Sequence, residues 1–230
     1  MNWFIILIVV ATSLVMSPPA SAADITVPGV SGGDITVKVT SLKEMRFKTT
    51  IRQQYDFSCG SAALATLLTF HYEDPLGEPE VFKAMYDAGN QEKIKKEGFS
   101  LLDIKKYLKA RGYRADGFRT TLDKLKGIGI PAIVLIDHDG YRHFVVVKGV
   151  TGSKVLLGDP SHGLRRMPHD RFESMWNGLL FLIRNRQDVA TRYFNRERAW
   201  KIYARAPLGM ALGNNELANI TWMLPGEHDF

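Results

Sequence analysis

Apolar and polar positions change their period along this chain, and the changes mark its elements. Two alternating runs, Asp24-Ile25-Thr26-Val27 and Asp34-Ile35-Thr36-Val37, are separated by Gly-rich sequence. They predict a hairpin or edge extension, and the strand-like composition continues to Thr50. Helical signals follow. Residues 58–70 form an Ala- and Leu-rich apolar run, and Glu78-Pro79-Glu80 opens a second helix that stops near Gly89. Ser100-Leu101-Leu102-Asp103 resembles a capping box, with Asp for the usual Glu, and opens a third helix closed by Gly112. A shorter helix over 121–126 ends in Gly127. Strands are predicted over 130–136, 141–150 and 154–158, joined by turns at Asp137-His138-Asp139-Gly140 and Thr151-Gly152-Ser153. A short helix over 169–176 and a strand over 179–183 follow. Helices first and an antiparallel sheet afterwards make an α+β arrangement.

Residues 3–16 are mostly apolar, about the length of a signal-peptide core and short of the ~20 residues a membrane span requires. Ser17-Pro18-Pro19 breaks the run, and Ala20-Ser21-Ala22 fits a small-x-small cleavage pattern. The mature chain is therefore expected to begin at Ala23 and to be exported to the periplasm. No Lys or Arg precedes the apolar run, which leaves an uncleaved anchor as the other reading. The expected division is a signal peptide over 1–22, an N-terminal β extension over 23–50, one substantial domain over 51–184 and a basic, polar extension over 185–230.

The leader carries no charge, so the mature chain keeps the full formal net charge of +6. Arg184, Arg186, Arg192, Arg196, Arg198, Lys201 and Arg205 face only Asp188 and Glu197. This stretch reads as a solvated face, with a docking surface for acidic protein or anionic lipid as the alternative. No nucleic-acid recognition motif is present, and nucleic acid is not an expected partner.

Cys59 is the only cysteine. It stands where the polar Arg52-Gln53-Gln54-Tyr55-Asp56-Phe57-Ser58 gives way to an apolar helix. At a helix N-terminus, unpaired N–H groups and the positive end of the dipole favour thiolate over thiol. A lone cysteine in an oxidising compartment forms no internal disulfide. Most free cysteines are small buried hydrophobes. Gly60 behind it and Asp56 and Ser58 ahead of it set this one at a helix mouth instead, which points to a nucleophile. Gln53, six positions earlier, carries an amide that can donate toward an oxyanion.

A thiolate needs a base, and the base needs a group to hold its tautomer. Among six histidines, His143 lies in Arg142-His143-Phe144-Val145-Val146-Val147, a strand otherwise too apolar to favour an imidazole. Folding the strands about Thr151 places Asp159 opposite His143 or within a residue of it, close enough to accept the Nδ1 proton. Taken singly, His143 could be a core histidine and Asp159 a turn residue before Pro160. The pair makes both roles catalytic.

At these residues the chain resembles the bacteriocin-processing cysteine peptidases of family 39, which remove double-glycine leader peptides and have a papain-like fold. The resemblance covers about residues 52–184. It is carried by Gln53 ahead of Cys59-Gly60-Ser61-Ala62, by His143-Phe144-Val145-Val146, and by Asp159-Pro160 sixteen residues after the histidine. It implies Cys59 as nucleophile, His143 as general base and acid, Asp159 as orienting carboxylate and Gln53 as oxyanion donor, with Gln54 the competitor for that last role. It further implies a papain-like fold with an N-terminal helical half packed on a C-terminal antiparallel sheet.

Most members of that family are domains of ABC exporters, whereas no Walker-type Gly-x-x-x-x-Gly-Lys-Ser/Thr occurs in this sequence. The chain is more similar to the exported stand-alone members found with functional-amyloid secretion systems. The implied partner is a protein or peptide substrate: an amyloid subunit or an outer-membrane component of its export route. Gly32-Gly33 reads as a hairpin turn before it reads as a self-processing site. Asp137-His138-Asp139, taken with His143 or His162, matches no metal-ligand spacing, so neither a metal nor a cofactor is expected. Two other functions stay open: a cell-wall amidase using the same chemistry, and a peptide-binding chaperone or export adaptor that cleaves little or nothing.

Overall fold

The computed structural model describes residues 23–28, 34–39 and 41–202. The expected leader, the Gly32-Gly33 pair and residues 203–230 lie outside the described residues. The chain divides into two units. In the first, β1 (Ala23–Pro28) pairs antiparallel with β2 (Asp34–Val39), Ala23 opposite Val39 and Pro28 opposite Asp34.

The second unit begins with a correction. Strand-like character does not run on to Thr50, because α1 (Leu42–Phe47) is helical. Its sequence includes Leu42, Lys43, Glu44, Met45 and Arg46, all straight-chain helix formers. Next come α2 (Cys59–His71), α3 (Glu78–Ala88), α4 (Gln91–Glu97) and α5 (Leu101–Ala110). The expected capping box is present: the Ser100 side chain accepts from Asp103 N–H, and the Asp103 carboxylate accepts from Ser100 N–H. Helix α4 was not expected, since six of its seven residues are polar and only Ile94 is buried.

A six-stranded antiparallel sheet follows, in the order β3-β8-β4-β5-β6-β7. Its strands are β3 (Ala115–Arg119), β4 (Ala132–His138), β5 (Tyr141–Val150), β6 (Lys154–Asp159), β7 (Gly163–Pro168) and β8 (Trp176–Ile183). Helix α6 (Leu122–Ile128) ends at Gly129, two residues later than expected. Helix α7 (His169–Met175) packs its fully buried Phe172 against Trp176. The turn between β4 and β5 closes on two residues with positive φ, Asp139 (53°) and Gly140 (86°), which matches the strand twist.

Residues 132–136 of β4 and 144–147 of β5 read as continuous apolar runs because both faces of the sheet are covered there. On one face Ile133, Phe144 and Val146 join Leu64, Leu67 and Leu68 of α2. On the other, Val134, Val145 and Val147 join Leu125 of α6 and Phe172 of α7. The basic stretch departs from a wholly solvated face. Within it lie α8 (Gln187–Thr191), with Val189 and Ala190 buried, and α9 (Glu197–Lys201). Asn195 clasps β5, its N–H donating to Lys148 O and its Nδ2 to Val150 O. Among the described residues no helix is long and apolar enough to cross a membrane.

Candidate active site

Cys59 is the first residue of α2 and is 7% exposed. This helix start is pressed into the protein on two sides. A Cβ on Gly60 would meet Phe99 Cβ at 3.0 Å and the Phe144 ring at 3.4 Å, so the close approach favours glycine. One turn in, Ser61 Oγ lies 2.9 Å from Ser58 O and 3.0 Å from Glu78 Oε1. Glu78 is 2% exposed, and burial raises its carboxyl above the ordinary value despite hydrogen bonds from Ser58 and Ser61. Sequence reasoning took Glu78 only as a helix opener. Its place beneath the Cys59 turn was missed, and nothing in Gly77-Glu78-Pro79 signals it.

His143 is almost fully buried on β5, and its Nε2 lies 2.9 Å from Asp159 Oδ1. The sequence reading placed Nδ1 at the carboxylate, and the structure corrects it. Nδ1 is buried with no hydrogen-bonding nitrogen or oxygen among the described residues, and the Cys59 thiol interacts with the ring. Burial works against a charged imidazole here. The hydrogen bonds and charges of Asp159 and Cys59 outweigh it and raise His143 to about 9.

The strand register is also corrected. Val146 pairs with Gly158 and Val147 with Leu157, so the next step of the ladder sets Asp159 beside Val145, not His143. The turn is centred on Gly152-Ser153 rather than Thr151, with Thr151 N–H donating to Lys154 O, which carries Asp159 away from His143; the register shift at Lys148 returns it by one residue. Asp159 therefore meets His143 diagonally, within reach of the two side chains.

Asp159 is 1% exposed and satisfied on both oxygens. Oδ1 also accepts from the backbone N–H groups of Ser161 (2.8 Å) and His162 (3.2 Å), and Oδ2 contacts Arg165 Nη1 (3.0 Å) and His162 Nδ1 (3.1 Å). Burial opposes the carboxylate, yet His143 and these donors hold it well below the usual range. Sequence reasoning missed the contacts of Ser161, His162 and Arg165 with Asp159, having weighed His162 only as a metal ligand.

Gln53 sits against the same turn, and its N–H donates to Pro160 O at 3.1 Å. Its Oε1 is 2.9 Å from Ser161 Oγ, and its Nε2 donates to Tyr55 O at 3.0 Å and Asp56 O at 3.4 Å. Gln54 is exposed. The fold thus brings Gln53 to the Asp159 turn, and Cys59 and Asp159 to the two sides of His143. Tyr141 stacks on His143, with ring centroids 5.9 Å apart, and its hydroxyl also reaches Asp56 O, at 3.3 Å. Beside the Cys59 turn, Tyr55, Phe57, Phe82 and Phe99 form a chain of ring contacts 5.0–5.9 Å apart, ending where Phe99 meets Gly60. Asp137 and Asp139 are engaged within their own turn, through Gly140 N–H and His138.

Comparison with known proteins gives these observations a setting. A model of the peptidase C39 family matches residues 48–188. The probable functional amyloid protease FapD of Pseudomonas aeruginosa is 38% identical over 177 residues, which cover 76% of this chain and 78% of that protein. FapD of Pseudomonas fluorescens is 38% identical over 171 residues, covering 74% and 76%. Among solved structures, the peptidase domain of Streptococcus ComA, a bifunctional ABC transporter, matches with a TM-score of 0.51 at 23% identity. That match covers 59% of this chain and 96% of the domain. The shared fold is the papain-like one, with the helical half on the antiparallel sheet.

Proposed function

The chain belongs to the peptidase C39 family and is a cysteine-type peptidase, and from that premise we propose that Cys59, His143, Asp159 and Gln53 carry out its reaction. Cys59 Sγ, as thiolate, attacks the scissile carbonyl carbon, forming a C–S bond while the π pair moves onto oxygen. The Cys59 N–H and the Gln53 amide receive that oxyanion. His143 holds the thiol proton as imidazolium and passes it from Nδ1 to the departing amine as the C–N bond breaks. Water then gives a proton to the same nitrogen and attacks the thioester, which releases the acid and restores the thiol–imidazole pair. Asp159 holds Nε2–H throughout, so only Nδ1 exchanges protons. The buried 2.9 Å contact between His143 and Asp159, with Cys59 opening α2 beside it, carries this reading.

The substrate we propose is a secreted protein, an amyloid subunit or an outer-membrane component of its export route, cut in the periplasm after a Gly-Gly pair. Support comes from the 38% identity to two probable functional amyloid proteases and from the leader-like residues 1–22. The aromatic contacts ending at Gly60 offer a ledge for an apolar side chain of an extended substrate. The test is to incubate the purified mature protein with the secreted proteins of its host and map new termini by mass spectrometry. New termini absent with Cys59→Ala support the reading. Identical termini with and without Cys59, or cleavage of peptidoglycan amides alone, overturn it.

A further inference from the structure

Resting on the reaction just proposed, we infer that Ser161 is a positioning residue that sets the polarity of the Gln53 amide and so aims its NH2 group for oxyanion binding. The two ends of that amide differ only in donor and acceptor character. The nitrogen end faces two backbone carbonyls, Tyr55 O at 3.0 Å and Asp56 O at 3.4 Å. Carbonyls only accept, so this end is the NH2. The other end is then Oε1, and the Ser161 hydroxyl 2.9 Å away must donate to it. Tyr55 O and Asp56 O resist a half-turn about the last torsion from the nitrogen end, and Ser161 is the side-chain donor that resists it from the oxygen end.

The same residue is anchored from behind. Ser161 N–H donates to Asp159 Oδ1 at 2.8 Å, and Gln53 N–H donates to Pro160 O at 3.1 Å. One turn, residues 159–161, therefore holds the carboxylate that orients the base and the hydroxyl that orients the amide. For Nε2 to reach an oxyanion it gives up a carbonyl, and the longer bond, to Asp56 O, is the one to release. Leaving a carbonyl unpaired would cost free energy. Here Asp56 O keeps a donor, because the Tyr141 hydroxyl also lies 3.3 Å from it. Pivoting about the fixed Oε1 end, the amide changes partner and no described group is orphaned.

The test separates a reaction that builds an oxyanion from one that does not. Acylation of Cys59 by p-nitrophenyl acetate passes through a tetrahedral oxyanion, whereas alkylation by iodoacetamide is a direct displacement at carbon. Both are read on the purified protein, with Cys59→Ala as the blank. Ser161→Ala should slow acylation by about 3- to 10-fold, the worth of one neutral hydrogen bond, and leave alkylation unchanged. Ser161→Thr, which keeps the hydroxyl, should recover most of the loss. In a Gln53→Ala background, Ser161→Ala should have no further effect. The inference fails if Ser161→Ala slows both reactions alike, or slows acylation equally with and without Gln53. Absence of any Cys59-dependent acylation in the unmodified protein would instead sink the proposed reaction itself.

Discussion

His143 Nε2 and Asp159 Oδ1 lie 2.9 Å apart, both side chains almost wholly out of solvent, and this pairing fixes the sign of the pH response. The ring is raised to about 9, so the imidazolium persists through neutrality and is lost as pH rises through that value. Its contribution to folding is complete below the unfolded value near 6.5 and disappears over the same rise. Peptidase activity is expected to fall on the alkaline side with a midpoint near pH 9. Asp159→Asn should move that limb downward and reduce the rate by roughly 10- to 100-fold, since a neutral amide neither supports the cation nor fixes the tautomer. A pH–rate profile of the two proteins checks this.

Gly60 gives a packing prediction. With Phe99 Cβ 3.0 Å and the Phe144 ring 3.4 Å from where a methyl would stand, Gly60→Ala must shift the first turn of α2, or Phe99 and the Phe144 ring, by a few tenths of an ångström. The expected cost is about 1–3 kcal/mol of stability. Because the displaced turn carries Cys59, activity should fall by more than the fraction unfolded explains. Urea denaturation alongside active-site titration separates the two losses.

Much of this was legible in the sequence. Cys59, His143 and Asp159 stood out because each was a polar group set against an apolar run or at its end. The helix boundaries were legible where side chains cap, as at Ser100 and Asp103. What escaped has a physical pattern. Strand β3, with Asp116, Gly117 and Arg119, and strand β7, with Arg165 and Arg166, are the two edges of the sheet, held by backbone pairing that leaves no apolar period. The register between β5 and β6 was missed because the turn centres on Gly152-Ser153 rather than Thr151, and the shift at Lys148 that offsets part of this leaves no mark among Val145, Val146 and Val147. Choosing between Nδ1 and Nε2 requires the ring's orientation, which spacing does not encode.

Lys148 itself supports a third prediction. It is 3% exposed, donates to Thr49 O and lies over the Phe70 ring, with no ion-pair partner among the described residues. Burial lowers its ammonium to about 7. A base with a folded value below its unfolded one, near 10.5, penalises the folded state as pH falls between them, and the penalty is complete below about 7. The thermal midpoint should therefore carry a component that rises from about pH 7 toward 10. Lys148→Met should flatten that component, while loosening residues 48–51 ahead of Gln53. Calorimetry across the pH range reads the first effect, and hydrogen exchange at Ile51 N–H, which donates to Thr66 Oγ1, reads the second.

Glu78 predicts the opposite slope. Its Oε1 is 3.0 Å from Ser61 Oγ, while its Oε2 is buried without a partner among the described residues. Burial raises this carboxyl, so it favours the folded state when protonated and weighs against it as pH climbs through the folded value. Glu78→Gln keeps an acceptor for Ser61 and removes the charge, so stability at neutral pH should hold or rise and the loss of stability with rising pH above the ordinary carboxylate range should shrink. Glu78→Ala instead leaves Ser61 with Ser58 O as its remaining acceptor and opens space under the Cys59 turn, at a cost of about 1–3 kcal/mol. Denaturation curves of both variants and the parent, collected across the acid-to-neutral range, decide between them. Equal destabilisation by both substitutions would mean that the Glu78 charge, not its contact with Ser61, supports the turn, and Ser61 would then hold the start of α2 only through Ser58 O.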